Sequence, residues 1–570
     1  MKPKRKTIVI ITILAILVSI GELLRPYIIK VVIDDYLSLG IFQKGMITIG
    51  MLGAMYIGLV FITNILEFIA RATTKMMGED IIYQLRNKLY KFIQNANIPF
   101  HDKTPAGKLF VRITNDVEDI ATLFKDVFST FFRDVIMVIA LIGVMIYIST
   151  KLSLLTFIIL PIIIFVSFCI TKLINRIYTE SKNIRTQLNS FLAESIYGVK
   201  IIRIFNRQYE KQKECEAYNT KFWRGRIPAG IWEGFLYGFM TVIQNIGISI
   251  VVWACIEHWL GVTLEVGVIY MFISYIKQIF EPINNIIDNI ETVQESLVSI
   301  DKIYEILDQK DCLEEFEKGT TLENIQGKIE FKNVWFAYEK DNWILKDVSF
   351  TILPGQSIAL VGKTGSGKTT ITNLINRFYE VQKGEILLDG VNIKELNLRF
   401  LRKAVGIVLQ DPFIFAKSIK DNICLNTSLE EQEILQAVRL SSAEEFVSSF
   451  PNGIEEVSYE RGNSYSAGEK QLLAFARIFA HDPAIFILDE ATANIDTYTE
   501  QLIQKSVDEI SKNKTSIFIA HRLSTIVNVD KIIVLDHGRI QEQGSHQELL
   551  QTGGYYSKLY QAYYSSLTAS

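Results

Sequence analysis

A membrane all-α domain of six transmembrane helices with long cytoplasmic extensions, followed by an α/β phosphate-loop domain, is the architecture that the sequence predicts. Three observations predict it. The 570 residues are 49% hydrophobic and 21% charged, with mean hydropathy +0.22. That is too apolar for a large soluble chain and too charged for one wholly in lipid. The long uncharged stretches all precede Lys277, and after Leu307 the chain turns polar and alternates short apolar runs with helical patterns around a Gly-rich loop.

A spanning helix needs about 20 mostly apolar residues, because lipid offers no partner to backbone N–H and C=O groups. Residues 7–21, 45–66, 135–150, 152–171 and 234–256 meet or approach that length without a charge, and a shorter stretch, 266–276, runs up to Lys277 and Glu281. The spans are placed at about 7–33, 45–70, 130–150, 152–172, 230–256 and 262–284. Lys2, Lys4, Arg5 and Lys6 ahead of an apolar run have the form of a signal peptide. The apolar pattern resumes past Glu22 and further spans follow, so this segment reads as the first span. Short links follow the first, third and fifth spans, whereas the long links carry Arg86, Lys88, Arg112, then Arg176, Arg185 and Arg203 among other basic residues. The Lys/Arg bias puts the long links and both termini in the cytoplasm, with helices overrunning the bilayer.

The polar segment 308–326 is expected as a linker between a membrane domain, 1–307, and a soluble domain, 327–570. Strand-like runs at 357–361 and 484–488 are apolar throughout, as strands of a parallel sheet buried on both faces should be. The net charge of −3 offers no basic field for a nucleic acid, which excludes that partner class. Cys169, Cys215, Cys255, Cys312 and Cys424 are widely spaced, so neither a zinc site nor a disulfide framework is read from them.

After the strand at 357–361 comes Gly362-Lys363-Thr364-Gly365-Ser366-Gly367-Lys368-Thr369-Thr370, a complete GxxxxGK[ST] loop opening a helical pattern. Glycines let backbone N–H groups wrap phosphates, the helix N-terminus adds positive potential, Lys368 reaches the outer phosphates and Thr369 presents a hydroxyl to Mg²⁺. A second strand ends in Asp489-Glu490 and delivers two carboxylates to the C-terminal sheet edge. Asp489 suits Mg²⁺ and Glu490 suits a general base or water-orienting group. A solvated acidic strand end is the alternative for that pair taken alone.

Between these elements lies Ser464-Tyr465-Ser466-Ala467-Gly468-Glu469-Lys470-Gln471, a small-residue turn opening a helix. With the phosphate loop, this turn, Asp489, and His521 after a further strand, all behind six spans, the chain resembles the ATP-binding cassette transporters over its whole length. It is similar to their exporter-type half-transporters of the multidrug kind. The resemblance implies an ATPase coupled to transport, with ATP and Mg²⁺ as cofactors. Tyr338 would stack on adenine, and residues Gly362 to Thr370 would cradle the phosphates. Thr369, Gln410 and Asp489 would hold Mg²⁺, and Glu490, His521 and Gln410 would serve the hydrolytic step. Asp496 would lie in the loop at the dimer interface. Ser466, Ala467, Gly468 and Glu469 would face the ATP held by a partner chain, and segments 101–119 and 194–205 would transmit closure to the spans. Alone, Tyr338 reads as strand packing, Gln410 as a polar strand end and His521 as structural.

The family's usual turn is Leu-Ser-Gly-Gly-Gln, whereas this chain has Tyr465-Ser466-Ala467-Gly468-Glu469. Ala467 adds a methyl and Glu469 a negative charge where a phosphate must approach. An intact catalytic half beside an impaired turn predicts a heterodimer with a different half-transporter, with a homodimer that tolerates the divergent turn as the alternative. The expected activity is export of a small amphipathic or lipophilic cargo, of multidrug type, across a bacterial plasma membrane. A lipid or peptide exporter of the same build is the alternative, and an ATP-gated regulator a more distant one. Glu22, Glu233, Lys277 and Glu281 are the candidate cargo-cavity groups, since a charge within a span is expensive unless it faces a cavity or a partner.

Overall fold

The computed structural model describes residues 5–38, 40, 43–44, 47–256, 265–309, 312–459, 462, 464–489, 496–512, 514–519 and 527–568. They form two compact units: 5–95 with 104–309, and 96–103 with 312–568.

In the first unit six helices are long and apolar enough to cross a membrane: Arg5–Leu37, Ile49–Asn95, Ala106–Ile148, Thr150–Tyr197, Gln208–Ile256 and Val266–Asn285. The second is a single 47-residue helix, Ile49–Asn95. At about 1.5 Å per residue it is roughly 70 Å long, twice the hydrocarbon thickness. The first helix passes its internal Pro26 and ends in a π-helical turn, Ile33–Leu37. The sixth is continuous from Val266 to Leu307, and its expected start near residue 262 lies outside the described residues. A core of Met137, Leu141, Met145, Ile163, Phe272 and Tyr275 joins the third, fourth and sixth of these helices. The first and sixth also meet through polar groups: the Tyr275 hydroxyl donates to the Leu23 carbonyl at 2.9 Å, and the Gly267 N–H donates to Asp34 Oδ1 at 2.6 Å.

The second unit carries two sheets. The strands used below are β1 (Ile329–Ala337), β2 (Trp343–Ile352), β3 (Ser357–Val361), β4 (Lys383–Leu388), β5 (Val391–Asn392), β6 (Val405–Val408), β7 (Ile485–Asp489), β8 (Thr515–Ile519), β9 (Lys531–Asp536) and β10 (Arg539–Gly544). The six-stranded sheet runs β10-β9-β3-β8-β7-β6, parallel except for the β9–β10 pair, and a four-stranded antiparallel sheet runs β2-β1-β4-β5. Along β7, Ile485 and Ile487 enter one core with Phe331, Phe350, Ile371 and Leu374, whereas Phe486 and Leu488 enter the opposite core with Leu472 and Phe475. Burial on both faces is why that strand reads as an unbroken apolar run.

Candidate nucleotide-binding site

Helix α1 (Lys368–Ile375) starts at the C-terminal end of β3, and the loop between them is shaped by glycine. A Cβ on Gly362 would lie 2.2 Å from the Leu535 carbonyl oxygen, and Gly367, the cap of α1, holds φ +105° with Leu345 Cδ2 2.6 Å from where a Cβ would be. Only glycine fits either position. Lys368 is 5% exposed, and its ammonium curls back to donate to the Gly362 carbonyl at 2.7 Å and the Lys363 carbonyl at 3.1 Å. The Ser366 hydroxyl is buried with no hydrogen-bond partner among the described residues. An unspent donor, a buried ammonium and a helix N-terminus around one loop fit a phosphate chain.

The parallel register sets the carboxylate edge. Ile519 of β8 pairs with both Leu360 and Asp489, so one strand separates the phosphate-loop strand from half-buried Asp489. Val408 pairs with Leu488, which places exposed Gln410 just past the end of the strand next to Asp489. Thr369, Gln410 and Asp489 are hard oxygen donors on one sheet edge, and so sparse a set suits Mg²⁺, which keeps waters and takes substrate phosphates as ligands. Glu490 and His521 lie outside the described residues.

Tyr338 is 42% exposed, and its hydroxyl donates to Thr370 Oγ1 at 3.2 Å. Its ring packs edge-on against Phe336 and Tyr379, at 4.8 and 4.9 Å between centroids. Burial and the hydrogen bond to Asp102 push the Tyr379 phenol well above its ordinary pKa.

Helix α2 (Ala467–His481) begins at Ser466 with a reciprocal capping box: Ser466 Oγ accepts from the Glu469 N–H at 3.2 Å, and the Ser466 N–H donates to Glu469 Oε2 at 2.6 Å. Ser466 and Ala467 are exposed and Gly468 is buried. Tyr465, standing where the family has leucine, is 6% exposed against Phe446 and Phe450, with its hydroxyl 2.9 Å from Ser458 Oγ. Further along α2, Arg477 donates to the carbonyls of Asn422 at 2.6 Å and Phe413 at 2.8 Å, and to Asn422 Oδ1 at 2.9 Å. Burial pulls its guanidinium down to about 10. Asp496 caps the helix Thr497–Ser511 by accepting from the Thr499 N–H at 2.9 Å, a bond that holds its carboxyl below the usual range.

The four charged groups proposed for the spans do not gather in one place. Glu22 and Glu281 share an electrostatic cluster with Arg25, Glu67 and Arg133. Glu233 instead accepts from the Tyr178 hydroxyl in a separate cavity of about 540 Å³, which Arg226 and Ser181 also line. Lys277 is exposed, with Gln244 Nε2 3.5 Å from its carbonyl oxygen. Asp102, Tyr379 and Arg477 carry no motif, and the pairing of Asp102 with Tyr379 spans 277 positions, so no local signal marks it.

The ABC transporter transmembrane region family matches residues 8–283, and the ABC transporter family matches residues 345–493. The probable multidrug resistance ABC transporter ATP-binding/permease protein YheH of Bacillus subtilis (strain 168) is 37% identical over 91% of this chain and 77% of its own length. The ATP-dependent lipid A-core flippase of Syntrophus aciditrophicus (strain SB) is 32% identical over 85% of this chain and 81% of its own. The structure of a bacterial Atm1-family ABC exporter with ATP bound superposes with a TM-score of 0.79 at 25% identity, over 98% of each chain. Six spans, one cassette domain and relatives matched along both place this multi-pass membrane chain in the ATP-binding cassette transporter family, as an exporter-type half-transporter that couples ATP hydrolysis to transport.

Proposed function

We propose that this chain is the half bearing the catalytic glutamate in a heterodimeric exporter that moves amphipathic or lipophilic compounds outward across a bacterial plasma membrane, with both termini in the cytoplasm. One relative is named for multidrug resistance and another for flipping a lipid, and an amphiphile is what those two cargoes share. In this reading Tyr338 carries adenine, while the loop amides, Ser366 and Lys368 hold the phosphates. Thr369, Gln410 and Asp489 hold Mg²⁺, which would neutralise phosphate charge. Glu490 orients the attacking water, His521 contacts the outer phosphate, and catalysis is mainly electrostatic clamping and positioning.

The capping box at Ser466 is the observation that carries the heterodimer. Glu469 takes up the Ser466 N–H and sets a carboxylate at the N-terminus of α2, the end that a partner's ATP would need. Such a turn serves a phosphate poorly, so a complete site for Glu490 requires a second chain with an unmodified turn. Exposed Tyr197, Ile201, Ile204 and Phe205, at the tip between the fourth and fifth spans, are apolar surface of the kind a partner subunit covers.

Transport tests this reading. Liposomes holding the assembled exporter should accumulate a fluorescent amphiphile on addition of Mg²⁺ and ATP, and Glu490→Gln should abolish accumulation while ATP still binds. Movement of a labelled phospholipid but of no drug-like amphiphile would favour the lipid-exporter reading. Wild-type transport by Glu490→Gln would remove that residue from the mechanism.

A further inference from the structure

Phe336, Tyr338 and Tyr379 form a closed triangle of edge-to-face rings, with centroid separations of 4.8, 4.9 and 5.6 Å. Phe336, 1% exposed, anchors the triangle, and Tyr338 offers its open side to solvent. The two tyrosine hydroxyls have different partners. That of Tyr338 reaches Thr370 on α1, and that of Tyr379 donates to Asp102 Oδ2 on the short helix Ile98–Lys103. This helix lies in the same compact unit as the nucleotide site, although the chain on both sides of it belongs to the membrane unit. Its start is fastened there: Ala96 bridges to Leu313, the Asn97 N–H donates to the Cys312 carbonyl at 2.7 Å, and Phe100 is buried.

We infer that Tyr379 is a positioning residue that couples the adenine platform to the helix Ile98–Lys103, so that a base seated on Tyr338 tightens the hold of the nucleotide-binding domain on that helix. The inference rests on Tyr338 being the platform. Edge-to-face pairs are directional, so fixing one ring restricts the next. A phenol bound to a carboxylate is a charge-assisted hydrogen bond that is sensitive to such alignment. Coupling in binding is reciprocal, so losing the Asp102 contact must weaken ATP binding although Asp102 touches no nucleotide.

Hydrogen exchange on the intact transporter in nanodiscs, at saturating ATP with EDTA to prevent hydrolysis, tests this. In the wild type, ATP should slow exchange both in the phosphate loop, 362–369, and in 96–103. Tyr379→Phe, which keeps the ring, and Asp102→Ala should each keep the first protection and lose the second. Each should raise the Kd for ATP about 5-fold, the low end of measured intersite coupling, with no further rise in the double variant. Protection of 96–103 that survives in both variants, or that never appears while the loop is protected, overturns the relay. Absence of loop protection in the wild type overturns the nucleotide-site assignment on which the relay rests.

Discussion

Ser466 and Glu469 cap each other: the Ser466 N–H donates to the Glu469 carboxylate at 2.6 Å, and the Glu469 N–H donates to the Ser466 hydroxyl at 3.2 Å. The pair stabilises the start of α2 and, in the reading proposed above, would place a negative charge beside the phosphates of a partner's ATP. A unit charge about 8 Å from another in a medium of effective dielectric about 20 contributes about 2 kcal/mol. Glu469→Gln keeps the capping geometry, since glutamine closes the same box, and removes the charge. It should tighten ATP binding at the site facing this turn by roughly tenfold or more. Titration of labelled ATP on the assembled transporter checks this, and an unchanged affinity would mean that the carboxylate lies outside the reach of the phosphates.

Lys368 is satisfied by loop carbonyls that phosphate oxygens would replace. Lys368→Ala should lower ATPase activity by about 10²–10³-fold, the usual loss when one preorganised donor to developing charge is removed. Steady-state hydrolysis by the assembled transporter is the measurement, and retention of half the activity would place the phosphates elsewhere.

Arg477 ties α2 to the segment following Gln410 through three acceptors. Arg477→Met leaves the Phe413 and Asn422 carbonyls without their charged donor. It should destabilise the nucleotide-binding domain by about 3 kcal/mol, seen as a Tm lower by roughly 6–12 °C. A shift below one degree would show that water replaces the guanidinium without loss.

Lys277 and Glu281 are both exposed and lie four residues apart on the sixth helix, with Glu281 in the field of Glu22. Replacing both with alanine should change which amphiphiles stimulate the ATPase while leaving basal hydrolysis in place, because neither residue belongs to the ATP site. An identical stimulation profile across drug-like and lipid amphiphiles would make the pair structural.

The strand-loop-helix turn at 362–368 was legible because its pattern is local: Gly362, Gly367 and Lys368 lie within six positions of one another between a strand and a helix. The spans were legible from apolar run length, whereas their continuation beyond the bilayer rests on helical patterns such as the 47 residues of Ile49–Asn95. The contact between Asp102 and Tyr379 was not legible, because only the tertiary fold joins residues 277 positions apart. Tyr465 looks like a defect in the signature turn until Phe446 and Phe450 are seen to enclose it. The Ser466–Glu469 spacing is itself a capping-box pattern, so sequence could supply that geometry and not merely the charge.

Whether this catalytic half needs a different partner is decided by purifying the chain with and without a co-expressed second half-transporter and measuring amphiphile-stimulated ATPase and uptake. Stimulated activity should appear only in a complex holding both chains and vanish with Glu490→Gln in this one. A stable homodimer of this chain alone, with full stimulated ATPase and transport, would contradict it.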